Sequence, residues 1–235
     1  MEKNKILLAS VILALGICVL GYFIKNGLSS IANRGRVVTV KGLSEMVIPA
    51  DKVTWPIVSK EVGDNLPQLY DKINDKTQII RNFLKEGGLT DEEININAPE
   101  VLDLNAERYS SNDHNYRYNI TSVITVTSKN VKLVRNIIAS QGELLKKGVA
   151  IINGGYDNPI TYEYTAFKDE KSKMMAEAIE NAEKTAKQFA ENSHSKLNKI
   201  ENANQGQFSI EDKDATTPYI KKVRVVTTIT YSLKD

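Results

Sequence analysis

The chain has 235 residues, 41% of them hydrophobic and 26% charged, which excludes an intrinsically disordered chain and leaves enough apolar material for a packed core. Three lysines and one glutamate fall within residues 1–30, so the remainder carries 28 basic and 28 acidic residues, a neutral balance with no electrostatic footprint for nucleic acid. The single cysteine, Cys18, excludes any disulfide within the chain.

Residues 1–5 form a short tail with Lys3 and Lys5. Residues 6–24, "ILLASVILALGICVLGYFI", hold no charge, and a helix needs about 20 apolar residues to cross the hydrocarbon core. The expectation is a retained transmembrane anchor or uncleaved signal. A cleaved signal is the competing reading, since Ser30-Ile31-Ala32 places small residues at a suitable cleavage site, although its apolar region is normally only about 7–15 residues long. Lys25, Arg34, Arg36 and Lys41 follow the stretch, so positive charge does not favour export of the C-terminal part. A first helix with so short a preceding tail nevertheless often inserts with its N-terminus inside. The resulting expectation is a single-pass protein of a bacterial inner membrane with its domain in the periplasm.

Residues 25–35 read as a polar linker, and 36–235 as one α+β domain. "RVVTVKG" (36–42) and "EMVIPADKVTWPIVSKEV" (45–62) read as strands, with Gly42 expected to let the first one turn. Pro49 and Pro56 lack ladder donors and suggest an edge or a bulge. From 65 to 86 the spacing becomes helical, with Leu66, Leu69, Tyr70, Ile73, Ile80, Phe83 and Leu84 on one face, Asp64 as N-cap and Gly87-Gly88 as stop. Residues 93–107 read as a strand broken at Pro99. They are joined through the polar tip "RYSSNDHN" to a strand over 116–128. In that strand Tyr116, Tyr118, Ile120, Ser122, Ile124 and Val126 share the core parity.

A helix over 130–147 turns Val131, Val134, Ile137, Ile138 and Leu145 inward. A hairpin through 148–167, turning near Gly154-Gly155 and Asp157-Asn158, leads to a helix over 168–192. There Ala178, Ala182, Ala186 and Ala190 form a smooth ridge with Ile179 and Phe189 beside it. "KLNKIENANQG", a polar loop over 206–217 and a strand over 218–233 close the chain. The order is three strand–strand–helix units and a final strand pair, which implies antiparallel sheet with helices on one side.

No residue pattern supplies a catalytic, cofactor-binding or metal site. His114 and His194 are the only histidines and lack zinc-ligand spacing. The acidic runs 91–93 and 211–214 lack a calcium loop, and neither glycine pair opens a phosphate loop. Asn119-Ile120-Thr121 matches a glycosylation sequon but falls inside a strand. Ser193-His194-Ser195-Lys196 matches S-x-x-K, but "SND" (111–113) and "KTA" (184–186) are not the companion motifs such a hydrolase requires.

Val40-x-Gly42 with Glu45, then Pro49-x-Asp51, the alanine-ridge helix and the final Val/Thr strand follow one another from Arg36 to Leu233 in an order that resembles the SIMPL-domain family. That family is a widespread bacterial domain of unknown function, usual in membrane-anchored or exported envelope proteins. Ser44 departs from it, since many members have a second glycine before the glutamate. The resemblance implies an α+β fold, an envelope location and a tendency to self-associate, and it carries over no catalytic residue. The functional expectation is therefore a membrane-anchored, non-enzymatic envelope protein acting through self-assembly or contacts with an envelope partner, without cofactor. The alternatives are a serine hydrolase using Ser193 and Lys196, or a loop residue near His114, and an exported binding protein.

Overall fold

The computed structural model describes residues 13–25, 36–106, 115–152 and 158–234. It is α+β, with antiparallel sheets. A helix, α1, covers 13–25, and its residues are exposed. No helix among the described residues is long and apolar enough to cross a membrane. Residues 6–12 of the expected anchor, the linker over 26–35, the tip over 107–114 and the turn over 153–157 lie outside the described residues.

The chain then runs β1 (Val37–Pro49), β2 (Lys52–Gly63), α2 (Leu66–Glu86), β3 (Ile94–Ile96), β4 (Glu100–Asp103), β5 (Tyr118–Ser128), α3 (Val131–Ala139), α4 (Gly142–Lys146), β6 (Thr161–Glu163), α5 (Phe167–Asn192), β7 (Lys196–Gln205), β8 (Ser209–Asp212) and β9 (Ile220–Lys234). The strands divide between two sheets, ordered β1-β9-β7, with β8 also pairing β9, and β3-β5-β2-β6, with β4 also pairing β5. Two compact units result. One holds Met1–Met46, Glu170–Ser209 and Arg224–Asp235; the other holds Val47–Asp169 and Ile210–Val223.

The second unit is built on β2 and β5. They pair antiparallel from Val53↔Ser128 to Gly63↔Tyr118, so Trp55 faces Val126 and Ile57 faces Ile124. A strand's side-chain period of two puts these four on one face, and all are fully buried. Ile80, Phe83 and Leu84 of α2, Val134 and Ile137 of α3 and Leu144 of α4 complete that core. Ile120 and Ser122 are buried as the alternation predicts, whereas Tyr116 is exposed. Pro56 opposes Thr125 on the β5 side. On its other side β6 pairs only with residues 52–54, so no ladder donor is required of the proline there.

Local chemistry shifts several boundaries. The N-cap of α2 is Asn65, whose side chain accepts from the Gln68 N–H, with Pro67 in the first turn. Asp64, the expected cap, instead accepts from the Arg117 N–H at 2.9 Å. The helix buries Leu69, Ile73, Thr77, Ile80, Phe83 and Leu84, while Leu66 and Tyr70 stay exposed. Gly87 and Gly88 end it, the latter at φ 99°. The expected helix over 130–147 is two helices, α3 ending at Ser140, whose backbone turns to φ −94° and ψ 5° and whose N–H and hydroxyl both bond back to the Asn136 and Ile137 carbonyls. The break changes the phase, so Leu144 is buried and Leu145 is exposed. Pro99 separates β3 from β4 as anticipated, and β8 occupies part of the expected 206–217 loop.

In the first unit, α5 lies against the β1-β9-β7 sheet. Ala182, Ala186 and Ala190 pack with Val38, Val40, Ile229, Tyr231 and Leu233. The ridge is internal, and Ala178 is also fully buried. Ile179 and Phe189, beside it, are exposed.

Gly42 does not turn the strand. It sits within β1, and a Cβ there would lie 1.9 Å from the Ala178 carbonyl oxygen and 2.8 Å from the Ala182 Cβ. The absent side chain is what allows helix and strand to approach so closely. The chain turns later, at Ala50 and Asp51.

Replacing Gly42 by Ala forces backbone apart and should cost about 1–3 kcal/mol of stability, typical of overpacking. Ile124→Ala should cost about 2–5 kcal/mol, whereas Thr125→Ala, on the half-exposed face, should change stability by no more than about 0.5 kcal/mol. Urea denaturation midpoints of the three variants check both assignments.

Candidate functional site

Within the second unit a cleft of about 670 Å³ opens beside the start of α3. The apolar part of its lining is Val47, Ile48, Pro49, Ala50, Val131 and Ile220. Lys129, Lys132 and Arg135 supply three cations, and Tyr219 completes the lining. Lys132 and Arg135 lie three apart on α3, which makes them neighbours on the helix surface, and Lys129 sits just before the N-cap, Asn130. All three are exposed, and no lining residue among those described is acidic.

The Arg135 guanidinium lies 3.3 Å from the centre of the Tyr219 ring. Tyr219 meets Tyr162 edge to face with centroids 6.1 Å apart. Burial pushes the Tyr162 phenol upward, only partly offset by the Arg135 charge. Among the described residues, none of the three cations forms an ion pair. Asn130 is committed to the helix, since its side chain accepts from the Leu133 N–H at 3.1 Å.

Asp51, next to Ala50 of the lining, fixes the adjoining turn. Its carboxylate accepts from the Thr165 N–H at 2.7 Å, the Thr165 hydroxyl at 3.0 Å and the Ala166 N–H at 2.7 Å. Ala50 N–H donates to the Tyr219 carbonyl at 2.9 Å. Asp51 thus ties the turn after β1 to the segment just before α5, and Ala50 ties that turn to the cleft's aromatic residue. Partial burial alone would raise the Asp51 carboxyl, but the hydrogen bonds from Thr165 and Ala166 outweigh it and hold the group below its ordinary value.

The other residues singled out in the sequence also have structural partners. Glu45 pairs with Arg224 at 3.3 Å. Ser44 is buried and donates to Glu177 of α5 at 2.7 Å, while Asn181 donates to the Leu43 carbonyl at 2.8 Å. The departure at Ser44 therefore adds a hydrogen bond to the Gly42 contact. Ser193 donates to the Ala190 carbonyl at 3.1 Å, closing α5, and no hydrogen bond among the described residues joins it to Lys196. His194 takes φ 53°, in the left-handed region common at helix ends. Ser195 is buried and accepts from Arg36 at 2.9 Å. His114 and "SND" (111–113) lie outside the described residues.

The acidic runs are partnered too. Asp91 accepts from Arg81 at 2.8 Å and Lys85 at 2.7 Å. Asp212 pairs with Lys221, and Asp214 closes a turn through Thr216 and Thr217. Among the described residues no group of three or more His, Cys, Asp or Glu side chains converges as for a metal ion. The cleft was not singled out in the sequence. The spacing of Lys129, Lys132 and Arg135 was its only visible signal, because its apolar wall comes from distant segments.

Asp51→Ala should cost about 1–2 kcal/mol at neutral pH, the scale of a lost helix cap or charged hydrogen bond. The folded-state value is depressed, so this stabilisation is present above the ordinary carboxylate value of 3.8 and is lost as pH falls through the lower folded value. Wild type and Asp51→Ala should therefore converge in stability in strong acid and differ most near neutrality, as thermal unfolding across that range will read out.

No curated protein matches the chain. A family model described as SIMPL, a protein of unknown function (DUF541), matches residues 38–231, from the second residue of β1 to Tyr231 of β9. That match takes in both sheets, the alanine-ridge helix and the Gly42 and Asp51 contacts, and the chain belongs to the SIMPL family.

Proposed function

We propose that this protein is a membrane-anchored, non-enzymatic component of the bacterial cell envelope, held by residues 6–24 with its folded part in the periplasm, and that it works by self-association and protein contacts. The observation that carries this reading is the edge of the β1-β9-β7 sheet. Strand β7 is ten residues long, lies at the end of the sheet and is exposed at every position except Leu197. Ile200, in its middle, is 56% exposed. An edge strand offers a row of backbone donors and acceptors to another strand. Lys199 and Glu201 flank Ile200 with opposite charges, so a second β7 running antiparallel meets complementary rather than like charge.

Two further observations support it. A neutral domain lacks the net charge that keeps copies apart. The Ser193 hydroxyl is engaged in closing α5, which weighs against the serine hydrolase alternative.

In sedimentation velocity over a wide concentration range, the full chain should form a homo-oligomer. Ile200→Lys, a surface change with an expected stability effect of no more than about 0.5 kcal/mol, should weaken that association at least about tenfold. A strictly monomeric wild type would remove self-association as the working function. The full chain should also fractionate with membranes, and a mature N-terminus at Asn33 would overturn the retained anchor.

A further inference from the structure

We infer that the cleft beside α3 is a binding site for a small amphiphilic anion, a carboxylate or phosphate monoester carried on an apolar body. The volume of about 670 Å³ lies within the range of small-molecule sites, roughly 300–1,000 Å³. Its lining is split by chemistry. Val47, Pro49 and Ile220 offer apolar surface, and Val47 leaves 58% of its area uncovered. An exposed branched side chain against further apolar residues gains by covering with an apolar ligand body.

The same lining holds Lys129, Lys132 and Arg135, with no acid among the described lining residues and, among the described residues, no ion pair to any of the three. Three like charges in one cleft repel one another, and a bound anion relieves that repulsion while gaining charge-assisted hydrogen bonds. Arg135 is held in place by its stack on Tyr219, which is itself braced by Tyr162, so the guanidinium is pre-positioned rather than free to sweep the solvent. A neutral apolar molecule leaves the cations unrelieved, and a small inorganic anion leaves the apolar wall wet. Only a ligand with both parts satisfies the whole lining.

Octanoate is a suitable probe. Isothermal titration calorimetry on the full chain in phosphatidylcholine nanodiscs, corrected with empty discs, should show saturable binding. Octanamide and acetate should each bind at least about tenfold more weakly, isolating the charged and apolar contributions. Lys132→Glu with Arg135→Glu should weaken octanoate at least about tenfold, and so should Val47→Glu in the apolar part of the lining, while the far-ultraviolet circular dichroism stays that of the folded protein. Raising the salt concentration should weaken binding, because exposed charges are screened.

Repeating the titration in discs containing phosphatidylglycerol separates two sources of the same chemistry. Competition with octanoate assigns the cleft to a lipid anion, and undiminished octanoate binding assigns it to a free one. Either result supports the site. No saturation by about 10 mM octanoate overturns it, as does equal affinity for octanamide or unchanged affinity in both the charge-reversed and the Val47→Glu proteins. Loss of self-association in the charge-reversed protein without any octanoate binding by the wild type would assign the cleft to a second copy and equally overturn the proposal.

Discussion

The antiparallel register of β2 on β5 is the constraint from which the second unit follows. With Trp55 opposite Val126 and Ile57 opposite Ile124, four large apolar side chains leave water on one face. Fully burying such residues is worth roughly 1.5–3 kcal/mol each, so a one-residue slip that reversed the face would forfeit most of the core. Helices α2, α3 and α4 bring their apolar residues to this face. Strands β3 and β4 extend from β5, and β6 from β2. The cleft inherits the same register, since Lys129 follows directly on Ser128, the last paired residue of β5, and α3 begins two residues further on.

The first unit is governed by approach distance rather than by side-chain bulk. Four alanines on α5 and a glycine on β1 remove the material that normally separates a helix from a sheet. Close contact then brings Glu177 to Ser44 and Asn181 to the Leu43 carbonyl, adding directional bonds to a surface that alone would fix register poorly. The residues that carried the family resemblance, Gly42, Glu45 and Asp51, thus all have fold-holding partners. That gives a physical reason for their order along the chain without any catalytic role for them.

How much of this was legible in the sequence depended on the range of the interaction. The alternation of Ile120, Ser122, Ile124 and Val126 declared a half-buried strand because its period of two is local. The alanine ridge and the glycine stop after α2 were readable for the same reason. The break at Ser140 was not, because the apolar pattern continues through it while the backbone leaves helical values there, at φ −94° and ψ 5°. Strand β8 lies in a segment whose polarity resembles a loop; its pairing with β9 supplies what hydrophobic patterning does not. The role of Gly42 depends on a helix more than 130 residues away in sequence, and that of Asp51 on Thr165, 114 residues on. The division into two sheets is equally non-local. Of the cleft's cations, Lys132 and Arg135 were visible three apart on one helix, but not the distant apolar residues that share the lining with them.

An assembly protein needs a surface that recognises its partner and a fold rigid enough to present it. Under the proposed assembly role, the closely packed helix–sheet contact would supply rigidity and the uncovered strand β7 would supply the surface. The most direct test is disulfide trapping along β7. After Cys18→Ser, single cysteines placed in turn at Lys199, Ile200, Glu201 and Asn202 of the full chain report whether two copies of the strand lie side by side. Antiparallel pairing predicts rapid, near-complete dimer formation at one or two adjacent positions, because disulfides require Cβ atoms within about 4.5 Å. Uniformly slow cross-linking, no faster than from a cysteine at exposed Lys184 on α5, would contradict assembly through this edge.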